Sequence, residues 1–246
     1  MSDSSTAPAK EHKHAKNEQN SQSDILPTNL IIDNEPFKKK ENVSSYTKKS
    51  PFYAQIVERM CLSGKESTKS TYHITLEIGD ANFPYQPGDS IGIFPKNDPK
   101  DIASLLHAIT PGNIIDLKRG DTLPIAQFLE ERANLDRITS PLIRLVGDDP
   151  ANRLQLAEKH DVISYLSGRK NLAPQALADA LAPLLPRFYS IASSSRVNPG
   201  KIDLLVATIA YEKGGRIKKG VGSDYLCYRS TLFDTKVGIY PHPAPS

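Results

Sequence analysis

The 246-residue sequence contains no tryptophan and only two cysteines, Cys61 and Cys227. These cysteines show no metal-binding spacing, and so few thiols do not indicate a disulfide scaffold. No apolar run approaches the length of a membrane span, and the first residues lack the charged-then-apolar pattern of a signal peptide. We therefore expect a cytoplasmic protein that has no membrane partner.

The sequence also lacks a large excess of either charge, since it has 31 Lys and Arg residues and 28 Asp and Glu residues, which gives a net charge of +3. The lysine clusters Lys38–Lys40, Lys48-Lys49 and Lys218-Lys219 lie outside any nucleic-acid motif and are interpreted as solvated. The sequence therefore predicts no nucleic-acid partner. With 38% hydrophobic residues, it can bury one sizeable core.

Residues 1–50 are rich in Ser, Lys, Glu, Asn and Gln, and their main apolar points are Ile25-Leu26 and Leu30–Ile32. Such a segment cannot bury enough apolar surface to order itself, so we predict a flexible tail. Docking of the apolar points on a partner or on the body of the protein is the alternative.

The remainder alternates between strand-like and helical patterns. Residues 51–97 and 183–246 have the period-two alternation and turn residues of strands, whereas residues 98–182 have helical periodicity. The predicted strands are Phe52–Leu62, Tyr72–Ile78, Asp89–Phe94, Pro186–Ser193, Ile202–Ala210 and Val237–Tyr240. The predicted helices are Asp101–Ile109, Pro124–Ala133, Pro141–Val146, Asn152–His160, Val162–Ser167 and Pro174–Leu181. The fold class is therefore mainly β with an α insertion: a six-stranded antiparallel Greek-key barrel and an all-helical subdomain, whose acids are interpreted as helix surface.

The first chemical motif is Arg187-Phe188-Tyr189-Ser190. In an extended chain Arg187 and Tyr189 share one face, while Phe188 and Ser190 share the other. A guanidinium beside a phenol ring suits a ligand that has a phosphate and a planar ring. An ordinary core strand with a surface Arg is the alternative for this motif alone.

The second motif is Gly220-Val221-Gly222-Ser223, followed by the apolar-spaced Tyr225, Leu226 and Tyr228. Two glycines permit a tight turn with uncovered amides, and Ser223 is placed where a short helix begins. Unpaired amides and the positive end of a helix dipole favour a pyrophosphate. The alternative is a plain glycine turn capped by Ser223. Arg216, Lys218 and Lys219 precede the turn in a predicted loop. These cations are either solvated or give electrostatic support to the binding of the phosphates.

Together the motifs resemble the FAD-binding module of the ferredoxin–NADP reductase superfamily, and within it the diflavin reductases of the sulfite-reductase type. The family patterns Arg-x-Tyr-Ser and Gly-x-x-Ser/Thr correspond to Arg187–Ser190 and Gly220–Ser223. Tyr85–Ile93 resembles the family's Tyr-x-Pro-Gly-Asp segment, and Pro186 and Ala210-Tyr211 also fit. The resemblance extends from about Ser50 to Pro243.

The resemblance implies an FAD site. In it Arg187 pairs with the pyrophosphate, Tyr189 stacks on the isoalloxazine ring, and Ser190 hydrogen-bonds near the redox-active ring nitrogen. Ser223 and the amides of Val221 and Gly222 hold the phosphates, and Phe188, Gly220 and Tyr211 complete the set of nine cofactor-binding residues. Phe188 replaces the usual aliphatic residue and is expected to point into the barrel wall. Asp224 stands where a small neutral residue is common, and it would oppose binding unless it points away or interacts with the helix dipole.

The resemblance also implies a function, in which reducing equivalents pass from NADPH through FAD to an acceptor. The helical part corresponds to the family's connecting insertion, and the NADP-binding domain that follows the barrel in the family is expected to be absent. The implied partners are a NADP-binding domain or subunit and an FMN or haemoprotein electron acceptor. The alternatives are a non-catalytic FAD-binding scaffold and a ligand-free barrel used for protein contacts.

Overall fold

The computed structural model describes residues 45–64, 66–117 and 120–244. Most of the predicted flexible tail, residues 1–44, lies outside the described residues. Its last part belongs to the folded body, because the Tyr46 ring packs 5.1 Å from that of Phe52 and 6.0 Å from that of Phe83, between ring centroids.

Strands and helices alternate along the chain. They are β1 (Phe52–Cys61), β2 (Thr71–Glu77), β3 (Ser90–Ile93), α1 (Pro99–Leu106), β4 (Ile114–Asp116), β5 (Thr122–Pro124), α2 (Ile125–Glu131), β6 (Ala133–Asn134), α3 (Ser140–Leu145), a 3-10 turn (Pro150–Asn152), α4 (Arg153–Lys159), α5 (Val162–Tyr165), α6 (Pro174–Ala180), β7 (Ala182–Pro183), β8 (Arg187–Ser190), β9 (Lys201–Ala207), β10 (Ala210–Lys213), β11 (Arg216–Lys219), α7 (Val221–Asp224), a π-helical segment (Tyr225–Arg229) and β12 (Lys236–His242).

The main sheet contains six antiparallel strands in the order β8-β3-β12-β1-β2-β9. These are the six strands that the sequence predicts, and the prediction of a six-stranded antiparallel sheet is confirmed. The edge strands β8 and β9 approach each other just beyond β8, where Ile191 and Leu204 form a single bridge and the Ala192 amide donates to the Asp203 carbonyl at 2.8 Å. No continuous ladder joins β8 to β9 in the described part of the chain, so the closed Greek-key barrel stays a prediction.

Alternation along the strands builds the core of this sheet. In β9, Ile202, Leu204 and Val206 are buried while Leu205 is exposed, as period-two side-chain geometry requires. Equivalent inward positions on the neighbouring strands join them in one apolar cluster, which contains Ala54, Ile56, Ile74, Leu76, Ile91, Ile93, Val237 and Ile239.

The helical insertion has its own core, formed by the apolar faces of α1 to α6. Its central residues are Leu105, Leu129, Leu142, Ile143 and Leu177. The prediction of an all-helical subdomain is wrong in one respect, because β4 pairs with β5 and β6 pairs with β7 within the insertion. Ladders of two or three residues are too short to give a period in the sequence.

A hairpin follows the main sheet and leads to the glycine turn. β10 and β11 pair antiparallel around Gly214 and Gly215, whose φ angles of 61° and 70° are accessible to glycine at little cost. The sequence predicted one strand through Ala210 and then a loop. The structure instead ends β9 at Ala207 and forms a second antiparallel pair.

Candidate functional site

A cavity of about 400 Å³ opens between β8, the β10–β11 hairpin, the start of α7 and the helical insertion. Seven of the nine predicted site residues line it: Arg187, Tyr189, Tyr211, Gly220, Val221, Gly222 and Ser223. Residues of the insertion also line it, among them Asp98, Lys100, Asp101, Asn134 and Asp136. The cavity therefore joins the two predicted motifs at one place.

Strand β8 presents Arg187 and Tyr189 to this cavity because side chains alternate along it. Both are half-buried, whereas Phe188 and Ser190 are exposed and do not line the cavity. The expected position of Phe188 in the barrel wall is wrong: the residue is 52% exposed, and its ring lies 4.5 Å from the ring of His242 and 6.2 Å from that of Tyr240. The hydrogen bond from Ser190 to the flavin stays a prediction.

The Tyr189 ring is the flat surface of the site. Burial raises the pKa of its phenol to about 12; nearby Cys227 adds to the shift, and the positive charge of Arg187 opposes it. The phenol is therefore neutral at physiological pH and presents an uncharged aromatic face. Tyr211 adds a second, more exposed phenol, and burial together with Asp136 raises its pKa to about 12.

The glycine turn starts a helix whose first residues line the cavity. Gly220 is the N-cap of α7, and the Asp224 amide donates to its carbonyl at 2.8 Å. The preceding amides have no partner within the helix because they belong to its first turn. Ser223 is buried inside α7 and donates its hydroxyl proton to the Gly220 carbonyl at 3.2 Å, so it is not the N-cap.

Gly222 is the point where the turn meets β8. A Cβ atom there would lie 2.6 Å from the Tyr189 hydroxyl oxygen and 2.9 Å from Cγ of Arg187. Only glycine allows the two segments to approach so closely. Arg187 donates to the Leu185 carbonyl at 2.7 Å and has no carboxylate partner within the described residues. A guanidinium, an aromatic face and a bare helix start together fit a ligand that carries phosphates and a planar ring, as FAD does.

Asp224 does not leave an uncompensated negative charge beside the turn. Its carboxylate lies 2.6 Å from Nε of Arg229 and 3.2 Å from Nζ of Lys219. Arg229 also donates to the Asn97 carbonyl at 3.1 Å, which fixes its guanidinium. Because two cations balance this carboxylate, the repulsion of a pyrophosphate that Asp224 suggested is offset.

Sequence reasoning missed a group of charged residues at the hairpin wall of the cavity. Lys218 is only 8% exposed and pairs at 2.8 Å with Asp161, which is fully buried, and Arg216 contacts Asp101. The interpretation of Lys218 as solvated, and of the insertion's acids as helix surface, is wrong at these positions. The available signal was the two-residue spacing of Arg216 and Lys218, which places both on one face of a strand.

Within residues 45–64, 66–117 and 120–244, no three His, Cys, Asp or Glu residues come together as they would around a metal ion. Nor does that part of the chain contain a helix with the length and apolarity needed to cross a bilayer.

Comparison with known proteins supports the same cofactor. The chain is 32% identical over 211 residues to the sulfite reductase [NADPH] flavoprotein alpha-component of Bacillus subtilis, a match that covers 78% of this chain and 35% of that protein. The protein of the same name from Baumannia cicadellinicola is 29% identical, over 81% of this chain and 36% of its own length. The one from Serratia proteamaculans is 30% identical, over 76% of this chain and 33% of its own length. The chain thus spans about a third of these relatives. Residues 44–129 and 122–225 match the sequence model of the FAD binding domain family. The chain belongs to that family, and its cofactor is FAD.

Proposed function

We propose that this chain is the FAD-binding part of an electron-transfer flavoprotein of the NADPH–sulfite reductase type. Bound FAD would supply the redox chemistry, taking a hydride from NADPH and passing electrons to an acceptor, while the chain binds and orients it. The observation that carries the proposal is the approach of β8 to the glycine turn at Gly222, on the wall of one cavity. The type of reaction is taken from the relatives, which are sulfite reductase [NADPH] flavoprotein alpha-components.

Each end of the cofactor has a matching set of groups in this proposal. Arg187 binds the pyrophosphate as a planar fork, and the amides of Val221 and Gly222 with Ser223 complete the phosphate site. Tyr189 stacks on the isoalloxazine ring, and Ser190 hydrogen-bonds near its redox-active nitrogen. Tyr211, on the hairpin side of the same cavity, offers a second aromatic face. The strands around the site close into a barrel through the contact between Ile191 and Leu204.

The partners follow from the proposed direction of electron flow. A NADP-binding domain or subunit delivers the hydride, and an FMN or haemoprotein group accepts the electrons. The protein acts in the cytoplasm, where NADPH is available and cysteines stay reduced. A non-catalytic FAD-binding scaffold is the competing function, and NADPH would not reduce the flavin bound to such a scaffold.

The test begins with the purified full chain. It should be yellow, with an absorbance band near roughly 450 nm, the cofactor's own property. NADPH is then added in the absence of oxygen, first to the chain alone and then to the chain mixed with the part of the Bacillus subtilis protein that does not align with it. Bleaching of the flavin band supports electron transfer. A bound flavin that dithionite reduces but NADPH does not in either case would support the scaffold, and a colourless chain that takes up no FAD would contradict both.

Tyr189→Ala supplies a second test of the site. The flavin spectrum and redox potential should change more than the fold, because the substitution removes the ring face but leaves the apolar core of the sheet in place. Tyr189→Phe is the matched control, since it keeps the ring and loses only the hydroxyl. A spectrum that Tyr189→Ala leaves unaltered would contradict stacking.

A further inference from the structure

Four charged side chains form a cluster between the hairpin and the helical insertion. Asp101 of α1 and Asp161 at the N-cap of α5 face Arg216 and Lys218 of β11. Nζ of Lys218 lies 2.8 Å from Asp161 and 3.5 Å from Asp101, and Nε of Arg216 lies 3.7 Å from Asp161. Arg216 also hydrogen-bonds Asp101. We call these four residues the charge quartet.

The charge quartet is balanced and largely removed from water. Asp161 is fully buried and the Lys218 side chain is 9% exposed. Burial alone would raise the pKa of the Asp161 carboxyl, but hydrogen bonds from Lys218 and Ser164 and the Lys218 charge outweigh it, so its pKa lies below the ordinary range. Removing one member of such a group leaves an unpaired buried charge, which is far more costly than removing both partners.

Other contacts hold the same hairpin against the insertion. The Gly214 amide donates to the Lys159 carbonyl at 2.9 Å, and a Cβ atom at Gly214 would overlap the Ser164 side chain. Lys213 donates to the Asp136 carbonyl at 3.2 Å. The tip and the inner face of the hairpin are therefore fixed by α4, α5 and the segment after β6.

The far end of this hairpin shapes the FAD cavity. Tyr211 lies on β10. Gly220 follows β11 directly and starts the glycine turn. The Gly220 amide donates to the Ile209 carbonyl at 2.9 Å, so the two ends of the hairpin are tied together. A shift of β11 on the insertion would consequently move both the aromatic wall and the turn.

We propose that the charge quartet is a positioning unit for the FAD site, which couples the docking of the helical insertion to the binding of the cofactor. The proposal rests on the family's FAD binding. It assigns to Asp101, Arg216 and Lys218, which line the wall of the cavity, and to Asp161 beside them a positioning role rather than direct contact with the cofactor. Arg216 and Lys218 are thus occupied by Asp101 and Asp161, and their role is to place the turn rather than to bind phosphate.

The test uses the full chain with Lys218→Met, Asp161→Asn and the two substitutions combined. The FAD dissociation constant is measured from flavin fluorescence, and the geometry of the bound flavin from its visible circular dichroism. Each single variant should weaken FAD binding by about tenfold, within the usual range of coupling between sites. The double variant should recover part of this loss because it leaves no unpaired buried charge.

A matched control comes from an ion pair within the same insertion. Arg169 and Asp148 lie 2.9 Å apart, both are partly exposed, and neither lines the cavity. The double variant Arg169→Met with Asp148→Asn should leave FAD affinity within about twofold of wild type. Arg216→Gln, at a more exposed member of the charge quartet, is the milder variant should the buried substitutions prevent folding.

The outcomes separate this proposal from the FAD assignment. If the quartet variants unfold more easily but keep the wild-type dissociation constant and flavin dichroism, the quartet is an ordinary structural group and the proposal fails. The same holds if the control pair weakens FAD binding as much as the quartet does. If the wild-type chain itself takes up no FAD, the cofactor assignment fails instead.

Discussion

At the scale of single residues, Gly222 determines how closely the glycine turn can approach β8. Gly222→Ala should displace the Tyr189 ring or the turn, because the new Cβ would lie 2.6 Å from the Tyr189 hydroxyl. Overpacking of this kind costs about 1–3 kcal/mol, and we expect FAD affinity to fall by about tenfold or more. Titration of the purified chain with FAD measures the loss.

The Gly222 prediction has an internal rescue. Combining Gly222→Ala with Tyr189→Phe removes the overlapping hydroxyl and should restore part of the affinity, although the contact with Arg187 at 2.9 Å remains. Gly64→Ala is the control, since a Cβ there would meet no atom within 4 Å. Equal FAD affinity for Gly222→Ala and wild type would show that the strand and the turn need not approach closely for binding.

Arg187 should contribute through its charge and its planar fork. Arg187→Ala is expected to weaken FAD binding by about 1.5–3 kcal/mol, the range for a hydrogen bond to a charged group. Arg187→Lys keeps the positive charge but loses the planar fork, so the FAD affinity of this variant should lie between that of wild type and that of Arg187→Ala. Isothermal titration with FAD gives both values, and an unchanged affinity for the alanine variant would refute the assigned role.

Alternation along β8 was sufficient to predict which side chains face the cavity. Arg187 and Tyr189 lie on the inner side and Phe188 on the outer side, as a period of two requires. What Phe188 would touch could not be read from the same pattern. The rings near it, Tyr240 and His242, belong to β12, which lies two strands away from β8 in the sheet and about fifty residues later in the chain. A local sequence pattern cannot predict such a contact.

At the scale of elements, the hairpin shows where the sequence pattern was insufficient. The apolar run from Ile202 to Ala210 reads as one strand, yet the Thr208 amide donates to the Ser70 carbonyl and the ladder of β9 ends at Ala207. Burial of Lys218 depends on Asp101 and Asp161, which come from two different helical segments. A pattern confined to one strand cannot reveal partners supplied by other elements.

The charge quartet should make stability depend on acid pH. The pKa of Asp161 is lower in the folded chain than its ordinary value of about 3.9. The unfolded state therefore takes up the proton first, and the stabilisation, present above about pH 4, is lost as the pH falls through the folded-state pKa. Urea unfolding at neutral pH and near pH 3 should show this loss.

Asp161→Asn should be less stable than wild type at neutral pH and should show a smaller further loss in acid. The asparagine cannot titrate, and Lys218 has already lost its nearer carboxylate and keeps only the contact with Asp101 at 3.5 Å. Asp148→Asn removes a carboxylate that is 40% exposed and should change the acid dependence less. An acid dependence identical in wild type and Asp161→Asn would contradict a charged, stabilising Asp161 in the folded state.

At the scale of the whole molecule, the longer strands β1, β2 and β9 and the helical insertion were predictable from their periodicity, whereas the four-residue strands β3 and β8 were predictable from the Pro87-Gly88 turn and the Arg187–Ser190 motif. The relation between them was not, since the cavity is formed where β8, the hairpin and the insertion meet. The short ladders β4–β5 and β6–β7 and the single bridge between Ile191 and Leu204 likewise arise from tertiary packing.

FAD should stabilise the sheet and the insertion together, because residues of both line the cavity proposed to hold it. At a free concentration 100 times its dissociation constant, a ligand that binds only the folded state adds about 2.7 kcal/mol to the free energy of unfolding. For a body of this size, that corresponds to a rise in Tm of about 5–10 °C. Scanning calorimetry measures the shift, with riboflavin as the control because it lacks the phosphates that the glycine turn and Arg187 would bind.

If the insertion unfolds in a separate transition, FAD should raise the midpoint temperature of that transition as well. A shift confined to the sheet would mean that the insertion takes no part in holding the cofactor, and would also contradict the coupling assigned to the charge quartet.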